Sequence, residues 1–348
     1  MEIVLQIALL IAGFVVLIKG ADVFVDGASA TAENFKVPKM LIGLTIVAFG
    51  TSAPEFAVSV KSLLSGNADM LLGNVIGSNI LNILLILGVS SMVKPLVVHS
   101  NTVKKELPIV ILMTLMFTTL MLDNLFDSSV TPAFTRQDGF VIVIAFGIFI
   151  YYLIQMNRAR KTAEELKKVN ETVEMLEGTK KQKKAQKAIE QDPPMKLWKA
   201  LLFTILGIVG IVLGSNFVVD SASSIATIMG VSAKMVALTV VALGTSLPEL
   251  VTSVVATKKG ETDIAIGNVV GSNIFNIGIV TGVPVAIIGG IPDISFSYID
   301  LAVMVSSAIV LYIFARDDRR ISRLEGGVLL TTFGAYYSYV IISGLGVI

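Results

Sequence analysis

Ten apolar segments, each about as long as a bilayer is thick, dominate this chain of 348 residues. A bilayer core of about 30 Å needs about 20 apolar residues per helix. Only 15% of the residues are charged, whereas soluble domains carry about 25%. The sequence therefore predicts an all-α integral membrane protein. The predicted spans are residues 3–25, 39–63, 70–92, 106–123, 138–155, 197–219, 233–257, 264–289, 297–315 and 325–345.

Composition excludes several classes of function. The net charge of +1 argues against nucleic acid as a partner. The chain has no cysteine, so disulfides and thiolate metal sites are excluded. Its single histidine, His99, lies outside the polar motifs described below, which argues against Ser–His proteolysis inside the membrane. We expect no enzyme activity and no cofactor.

The basic residues predict the orientation in the membrane. One long polar stretch, 157–196, separates the fifth and sixth spans, and most Lys and Arg residues lie in it or in loops on its side. Cytoplasmic loops carry an excess of Lys and Arg. The sequence therefore predicts a cytoplasmic linker at 157–196 and extracellular termini in a multi-pass protein of the plasma membrane.

The chain contains an internal repeat. Residues 43–88 align without gaps with 237–282, and 23 of the 46 positions are identical. Each half has five predicted spans, an odd number, so the halves must enter the membrane from opposite sides. This pattern predicts an inverted-topology repeat with broken helices at the midplane, an architecture of many secondary transporters. The predicted units are a first five-helix repeat at 1–156, the linker at 157–196 and a second repeat at 197–348.

A Gly-Thr-Ser-x-Pro-Glu motif lies inside the second span of each half. Pro54 and Pro248 cannot donate to the carbonyls four residues earlier, so we expect each helix to kink or break there. Glu55 and Glu249 follow directly, and a carboxylate inside a membrane is functional by default. Thr51 and Ser52 precede Glu55 by four and three residues, so they can share its helix face.

The next span of each half carries the motif GNVxGSNIxNI. Asn74, Ser78 and Asn82 recur every four residues and form a polar stripe, and the second half repeats it with Asn268, Ser272 and Asn276. A hydrogen-bond ladder between helices is the alternative interpretation, and such a ladder could coexist with ligand binding.

Together these motifs offer carboxylates, hydroxyls, amide oxygens and backbone carbonyls, but no sulfur and no imidazole. Such a set suits hard cations: Ca²⁺, Mg²⁺, Na⁺, K⁺ or Mn²⁺. Mg²⁺ sheds its water reluctantly, so a dehydrated protein cage suits Ca²⁺ better. Two carboxylates neutralise one Ca²⁺ or two Na⁺, and a third Na⁺ would leave one net positive charge, which would make the exchange electrogenic.

The two motifs closely resemble the alpha-repeats of the cation/calcium exchanger superfamily, and most closely its prokaryotic sodium/calcium exchanger branch. Proton-coupled calcium exchangers usually carry a GNxxE-type motif where this chain has GTSxPE, which favours Na⁺ as the coupling ion. The resemblance implies that Glu55 and Glu249 are the central ligands for both ions. It further implies backbone carbonyls from Thr51 and Thr245 for Ca²⁺, hydroxyls from Ser52, Ser246, Ser78 and Ser272 for Na⁺, carbonyls of Ala48 and Ala242 for Na⁺, and Asn82 and Asn276 lining the middle.

These observations predict a monomeric antiporter that moves Ca²⁺ out of the cell against inward Na⁺ flow, with Ca²⁺, Na⁺ and the bilayer as its partners. The resemblance implies alternating access, with the first span of each half sliding across the other helices. Exchange driven by H⁺ or K⁺, transport of another divalent cation, and a Ca²⁺-selective channel stay open as alternatives.

Overall fold

The structure is a computed structural model that describes residues 2–66, 68–122, 132–177, 195–230, 242–292 and 297–344. It is helical apart from two short antiparallel contacts. Six helices among the described residues are long and apolar enough to cross a membrane, and one bent helix pair would add a seventh. The prediction of a helical membrane protein is therefore confirmed.

The helices follow the predicted spans closely. In chain order they are α1 Glu2–Phe35, α2 Lys39–Thr51, α3 Ala53–Leu64, α4 Ala68–Leu81, α5 Gly88–Val93, α6 Leu107–Leu120, α7 Arg136–Glu177, α8 Leu197–Ile228, α9 Ala242–Thr245, α10 Leu247–Lys258, α11 Thr262–Phe275, α12 Gly282–Ile287, α13 Tyr298–Arg316 and α14 Arg323–Gly344. Wider π-helical turns join α4 to α5 at Asn82–Leu87 and α11 to α12 at Asn276–Thr281.

Three helices are longer than the sequence predicts. α1 and α8 continue about 10 residues past the predicted ends of their apolar segments, and α7 runs on to Glu177, into the predicted linker. Hydropathy marks only the apolar part of a helix, whereas backbone hydrogen bonding also continues through the polar residues that follow. Residues 178–194 of the linker and 231–241 of the seventh predicted span lie outside the described part of the chain.

α1 and α8 pack against each other as a close antiparallel pair. A Cβ atom on Gly20 would lie 2.7 Å from the backbone nitrogen of Ile211, and one on Gly207 would lie 2.5 Å from the Cα atom of Phe24. Gly20 and Gly214 hold equivalent places in the repeat, and a Cβ on Gly214 would collide with Leu17. Glycine at these positions lets the two backbones approach, as small residues do between membrane helices.

We expect Gly20→Leu to separate this helix pair and to destabilise the protein. A side chain inserted into a packed contact costs about 1–3 kcal/mol, because the neighbouring backbone has to move. Thermal unfolding in detergent measures the effect. Gly147→Leu is the matched control, because a Cβ on Gly147 meets no described atom within 4 Å. Equal unfolding temperatures for the two variants would contradict the packing argument.

The second span of the first half is broken, as predicted. α2 and α3 meet at an angle of 47°. Ser52 lies between them with φ −85° and ψ 8°, and Pro54 lies in the first turn of α3. Ser246 has nearly the same dihedral angles, φ −89° and ψ 5°, between α9 and α10. The proline in each motif therefore ends one helix and begins another.

Two short antiparallel contacts join connections from different halves of the chain. Strand β1, Leu96–Val97, pairs with strand β2, Arg320–Ile321. Phe134 and Ile291 exchange two backbone hydrogen bonds of 2.9 and 2.7 Å. The sequence pattern did not predict these contacts, because each strand is too short to show an alternation of its own.

Polar residues are buried and large apolar residues are exposed over much of the molecule. Ile11, Val15 and Ile18 of α1 are exposed, whereas Ser52 and Thr252 are fully buried. Such an arrangement suits a lipid surround, because lipid tails solvate apolar side chains and water does not. The interior therefore holds the polar chemistry of this chain.

Candidate cation site

The two repeat glutamates occupy equivalent positions at the starts of two helices. Glu55 lies in the first turn of α3 and Glu249 in the first turn of α10, and each is only 1% exposed. Unpaired backbone N–H groups at a helix start carry partial positive charge and stabilise a nearby carboxylate. The proline that breaks each helix thus creates the helix start that favours its glutamate.

Each glutamate is paired with the serine of the other half. Ser52 donates its hydroxyl proton to Glu249 Oε1 at 2.9 Å, and Ser246 donates to Glu55 Oε1 at 3.5 Å. Serine followed three residues later by glutamate is a capping-box pattern, yet neither serine side chain caps its own helix. The sequence predicts that Ser52 can share a helix face with Glu55, and the structure adds that its hydroxyl contacts the carboxylate of the other half.

Four buried acceptor oxygens in this region have no protein partner. They are Oε2 of Glu55, Oε2 of Glu249, Oδ1 of Asn82 and Oδ1 of Asn276. The four belong to two pairs of equivalent positions in the repeat. A buried oxygen without a donor costs free energy, and a bound cation would supply the positive charge that these four oxygens lack.

Asn79 and Asn273 orient the two inner asparagines. Asn82 Nδ2 donates to Asn273 Oδ1 at 2.9 Å, and Asn276 Nδ2 donates to Asn79 Oδ1 at 3.1 Å. Each contact uses the amide NH₂ group of the inner asparagine and leaves its carbonyl oxygen unpaired. Sequence reasoning missed Asn79 and Asn273, although each lies three residues before an inner asparagine and so shares its helix face.

The outer asparagines of the polar stripe fasten the broken helices. Asn268 Nδ2 donates to the Glu249 carbonyl at 3.3 Å and to Ser253 Oγ at 3.0 Å. Asn74 makes the equivalent contacts in the first half. Thr51 also donates to Asn268 Oδ1, at 3.0 Å. The hydrogen-bond ladder considered from the sequence therefore exists at these positions, while Asn82 and Asn276 keep free oxygens.

The remaining candidate residues lie on the same segments. Ser272 Oγ is 3.1 Å from Ser52 Oγ, and Ser78 Oγ is 3.3 Å from Ser246 Oγ. The Ala48 carbonyl accepts from the Ser52 backbone N–H at 3.0 Å and from the Thr51 hydroxyl at 3.4 Å. Ala242 and Thr245 are the first and last residues of α9, directly before the second break.

A carbonyl freed by a proline is used by another helix. Gly244, four residues before Pro248, accepts a hydrogen bond of 3.1 Å from Ser215 of α8. We expect Ser215→Ala to lower the free energy of unfolding by about 1 kcal/mol, because it removes a buried hydrogen bond. Chemical or thermal unfolding measures this change. Ala21 is the equivalent residue of α1, so Ala21→Ser is the reciprocal control.

The described residues hold no cluster of three or more His, Cys, Asp or Glu side chains that could bind a metal ion. The centre instead combines two carboxylates with hydroxyl and amide oxygens. Oxygen ligands of this kind suit Ca²⁺ and Na⁺ better than transition metals. The arrangement can neutralise two positive charges.

Known proteins resemble this chain over nearly its whole length. A family model described as sodium/calcium exchanger protein matches residues 5–155 and 199–342. The putative antiporter CaxA of Alkalimonas amylolytica is 36% identical over 327 residues, which cover 93% of this chain and 95% of the relative. The sodium/calcium exchanger MaX1 of Methanosarcina acetivorans is 28% identical over 356 residues, which cover 96% of this chain and 98% of the relative.

The fold also matches a solved structure. The sodium-calcium exchanger NCX_Mj, soaked with Na⁺ and Sr²⁺, aligns with a TM-score of 0.77 and 28% identity, covering 97% of this chain and 99% of that one. The family model, the relatives and the solved structure agree on one family and one fold over nearly the whole chain. The chain is therefore a membrane transporter that belongs to the sodium/calcium exchanger family.

Proposed function

We propose that this protein is a secondary active antiporter that exchanges extracellular Na⁺ for intracellular Ca²⁺ by alternating access. The ions bind between the two helix breaks, with Glu55 and Glu249 as shared ligands. The observation that carries this proposal is the set of four unpaired acceptor oxygens on Glu55, Glu249, Asn82 and Asn276. All four are buried, and a cation is the ligand that satisfies acceptors without bringing acceptors of its own.

The reciprocal contacts support one shared centre rather than two separate ones. Ser52 reaches Glu249 and Ser246 reaches Glu55, so the two carboxylates belong to one network. The serine hydroxyls and the Ala48, Ala242, Thr51 and Thr245 backbone carbonyls are the further ligands that we assign to it. Na⁺ and Ca²⁺ then compete for overlapping oxygens, which couples the binding of one to the release of the other.

Charge balance explains why coupled exchange would be faster than movement of one ion without a counter-ion. An empty centre would hold two buried carboxylates without counter-ions, and burying unpaired charge is strongly unfavourable. The centre therefore closes only when cations occupy it. One Ca²⁺ or two Na⁺ neutralise the pair, and a third Na⁺ makes each cycle electrogenic.

The membrane arrangement that we propose has ten spans in two inverted five-helix repeats, 1–156 and 197–348, joined by a cytoplasmic linker at 157–196. The antiparallel packing of α1 against α8 supports the inversion, because these helices are equivalent in the repeat. Extracellular termini and a plasma-membrane location follow from the loop charges. The proposed functional unit is a monomer.

Flux of ⁴⁵Ca²⁺ into proteoliposomes tests the proposed function. Vesicles preloaded with Na⁺, K⁺ or acid are diluted into medium without that ion, and uptake is compared among the three gradients. We expect uptake with the outward Na⁺ gradient alone, increased by an inside-positive membrane potential if one net positive charge leaves the vesicle with Na⁺ in each cycle. Uptake that follows H⁺ or K⁺ would replace Na⁺ as the coupling ion, and flux without any counter-ion would indicate a channel.

A further inference from the structure

The turn between α10 and α11 differs in charge from its counterpart in the first half. Gly260 in this turn has φ +80°, in the left-handed region that favours glycine, and Gly66 has φ +71° in the equivalent turn. The backbone is thus alike in the two turns. The residues flanking Gly66 are serine and asparagine, whereas those flanking Gly260 are Lys259 and Glu261.

Lys259 holds the second half of α1. Its ammonium nitrogen lies 2.6 Å from Asp26 Oδ1 and 2.8 Å from Asp22 Oδ1, and it donates to the Asp22 carbonyl at 2.8 Å. Burial disfavours the charged ammonium, but the hydrogen bonds to Asp22 and Asp26 outweigh it, so the pKa of Lys259 lies above its ordinary value. The lysine therefore contacts α1 as a cation.

Glu261 makes a second connection from the same turn. Its Oε1 atom lies 2.7 Å from the ammonium of Lys39 at the start of α2 and accepts from Ser29 of α1 at 3.2 Å. Lys39 is also 3.4 Å from Glu33 near the end of α1. The turn therefore ties α1 to the helices that carry the cation site, through both of its charged residues.

The other half lacks these charges at equivalent positions. Lys259 corresponds to Ser65, and Asp22 corresponds to Asn216, so neither the cation nor one of its two anions is repeated. Asp220, the equivalent of Asp26, is present. The charged contacts of Lys259 are therefore present at one face of the membrane and have no full counterpart at the other face.

We propose that Lys259 and Glu261 are positioning residues that lock α1 to the site-bearing helices at one face, and so favour one of the two states of the transport cycle. This rests on the proposed function, alternating access, and on the sliding of the first span of each half that the family resemblance implies. We call the contacts of Lys259 and Glu261 with α1 and Lys39 the lock. The loop charges place the lock at the cytoplasmic face. While it is formed, that face stays closed, and opening it breaks the contacts of Lys259 with Asp22 and Asp26.

Thiol labelling measures the state of the lock without any transport. The natural chain has no cysteine, so one introduced cysteine is the only target. Thr31→Cys is a suitable reporter, because Thr31 of α1 is fully buried here. An impermeant maleimide is applied to the cytoplasmic face of inside-out vesicles. We expect Lys259→Ser, which copies the residue of the other turn, to increase the labelling rate about fivefold. This factor corresponds to the free energy that a partly exposed ion pair contributes.

Two matched variants separate the lock from a general change of charge. Lys258→Ser removes the same charge one residue away and should leave the labelling rate unchanged. Lys259→Arg keeps the cation and should label as slowly as the parent. Ala30→Cys, at 6% exposure, replaces the reporter if Thr31→Cys does not fold. Equal rates for Lys259→Ser and Lys258→Ser would overturn the proposal.

Transferring the lysine to the other turn tests the asymmetry directly. Ser65→Lys copies Lys259 into the half in which Asp220 is the residue equivalent to Asp26, so it should favour closure of the opposite face and speed labelling from the cytoplasmic face. A slower rate would overturn the proposal. Because labelling needs no ion flux, loss of Na⁺-driven Ca²⁺ uptake in the parent protein would refute the proposed function and leave this measurement intact.

Discussion

Glu55→Gln and Glu249→Gln are each expected to abolish Na⁺-driven Ca²⁺ uptake, with a loss of about 100-fold or more. Each change removes one of the two negative charges that balance a divalent cation in a buried centre. Glutamine keeps the shape and an acceptor oxygen, so the fold should persist. Uptake of ⁴⁵Ca²⁺ and the Ca²⁺-dependent rise in unfolding temperature measure the loss together, because a ligand that binds only the native state stabilises it.

Glu106→Gln is the matched control for these variants. Glu106 is as buried as Glu55, at 1% exposure, but accepts a hydrogen bond from Tyr152 outside the cation site. We expect this variant to retain both uptake and stabilisation by Ca²⁺. If Glu55→Gln retained full Ca²⁺ stabilisation, or if Glu106→Gln lost it, the assignment of the two central ligands would be wrong.

Asn273→Leu is expected to raise the KM for Ca²⁺ about 10-fold with a smaller effect on maximal rate. The Asn273 side-chain oxygen accepts a hydrogen bond of 2.9 Å from the NH₂ group of Asn82. This contact fixes the orientation of the Asn82 amide and leaves its carbonyl oxygen free for a cation. Without it the amide can turn and leave a buried donor unpaired, which costs about 1–3 kcal/mol. Initial rates over a series of Ca²⁺ concentrations separate KM from maximal rate.

The repeat supplies an internal check on that prediction. Asn79 makes the equivalent contact with Asn276 at 3.1 Å, so Asn79→Leu should raise KM to a similar extent. Asn157→Leu changes an amide of α7 that lies outside this network and should leave KM unchanged. Equal KM values for Asn273→Leu and the parent protein would show that the amide of Asn82 needs no orientation by Asn273.

Sequence periodicity and motif chemistry predicted the class of protein and most of the candidate site. Apolar segment length indicated membrane helices, and Pro54 predicted the break that the structure has at Ser52. These features depend on interactions within a few residues, such as a missing backbone donor or an apolar run. Such interactions are present in the sequence itself, so periodicity and spacing are enough to find them.

Hydropathy was a weaker guide to where helices end. The predicted first span stops at residue 25, but α1 continues to Phe35. Its polar end is held by Lys259, which contacts Asp26, and by Glu261, which accepts from Ser29, and both partners are distant in sequence. A hydrophobicity pattern contains no information about such partners, so the extension could not be predicted from it.

Pairing between the halves was decided by tertiary structure alone. Ser52 and Glu55 are three residues apart, and local rules predict that they share a helix face, yet Ser52 contacts Glu249. The helix axis bends by 47° at the serine, and packing of the two breaks brings the opposite carboxylate to its hydroxyl. The sequence by itself determined the membrane class, the repeat and the chemical groups of the site, because these follow from local composition and spacing. Only the tertiary structure decided which oxygens are paired and which are left free, because that depends on the approach of segments nearly 200 residues apart.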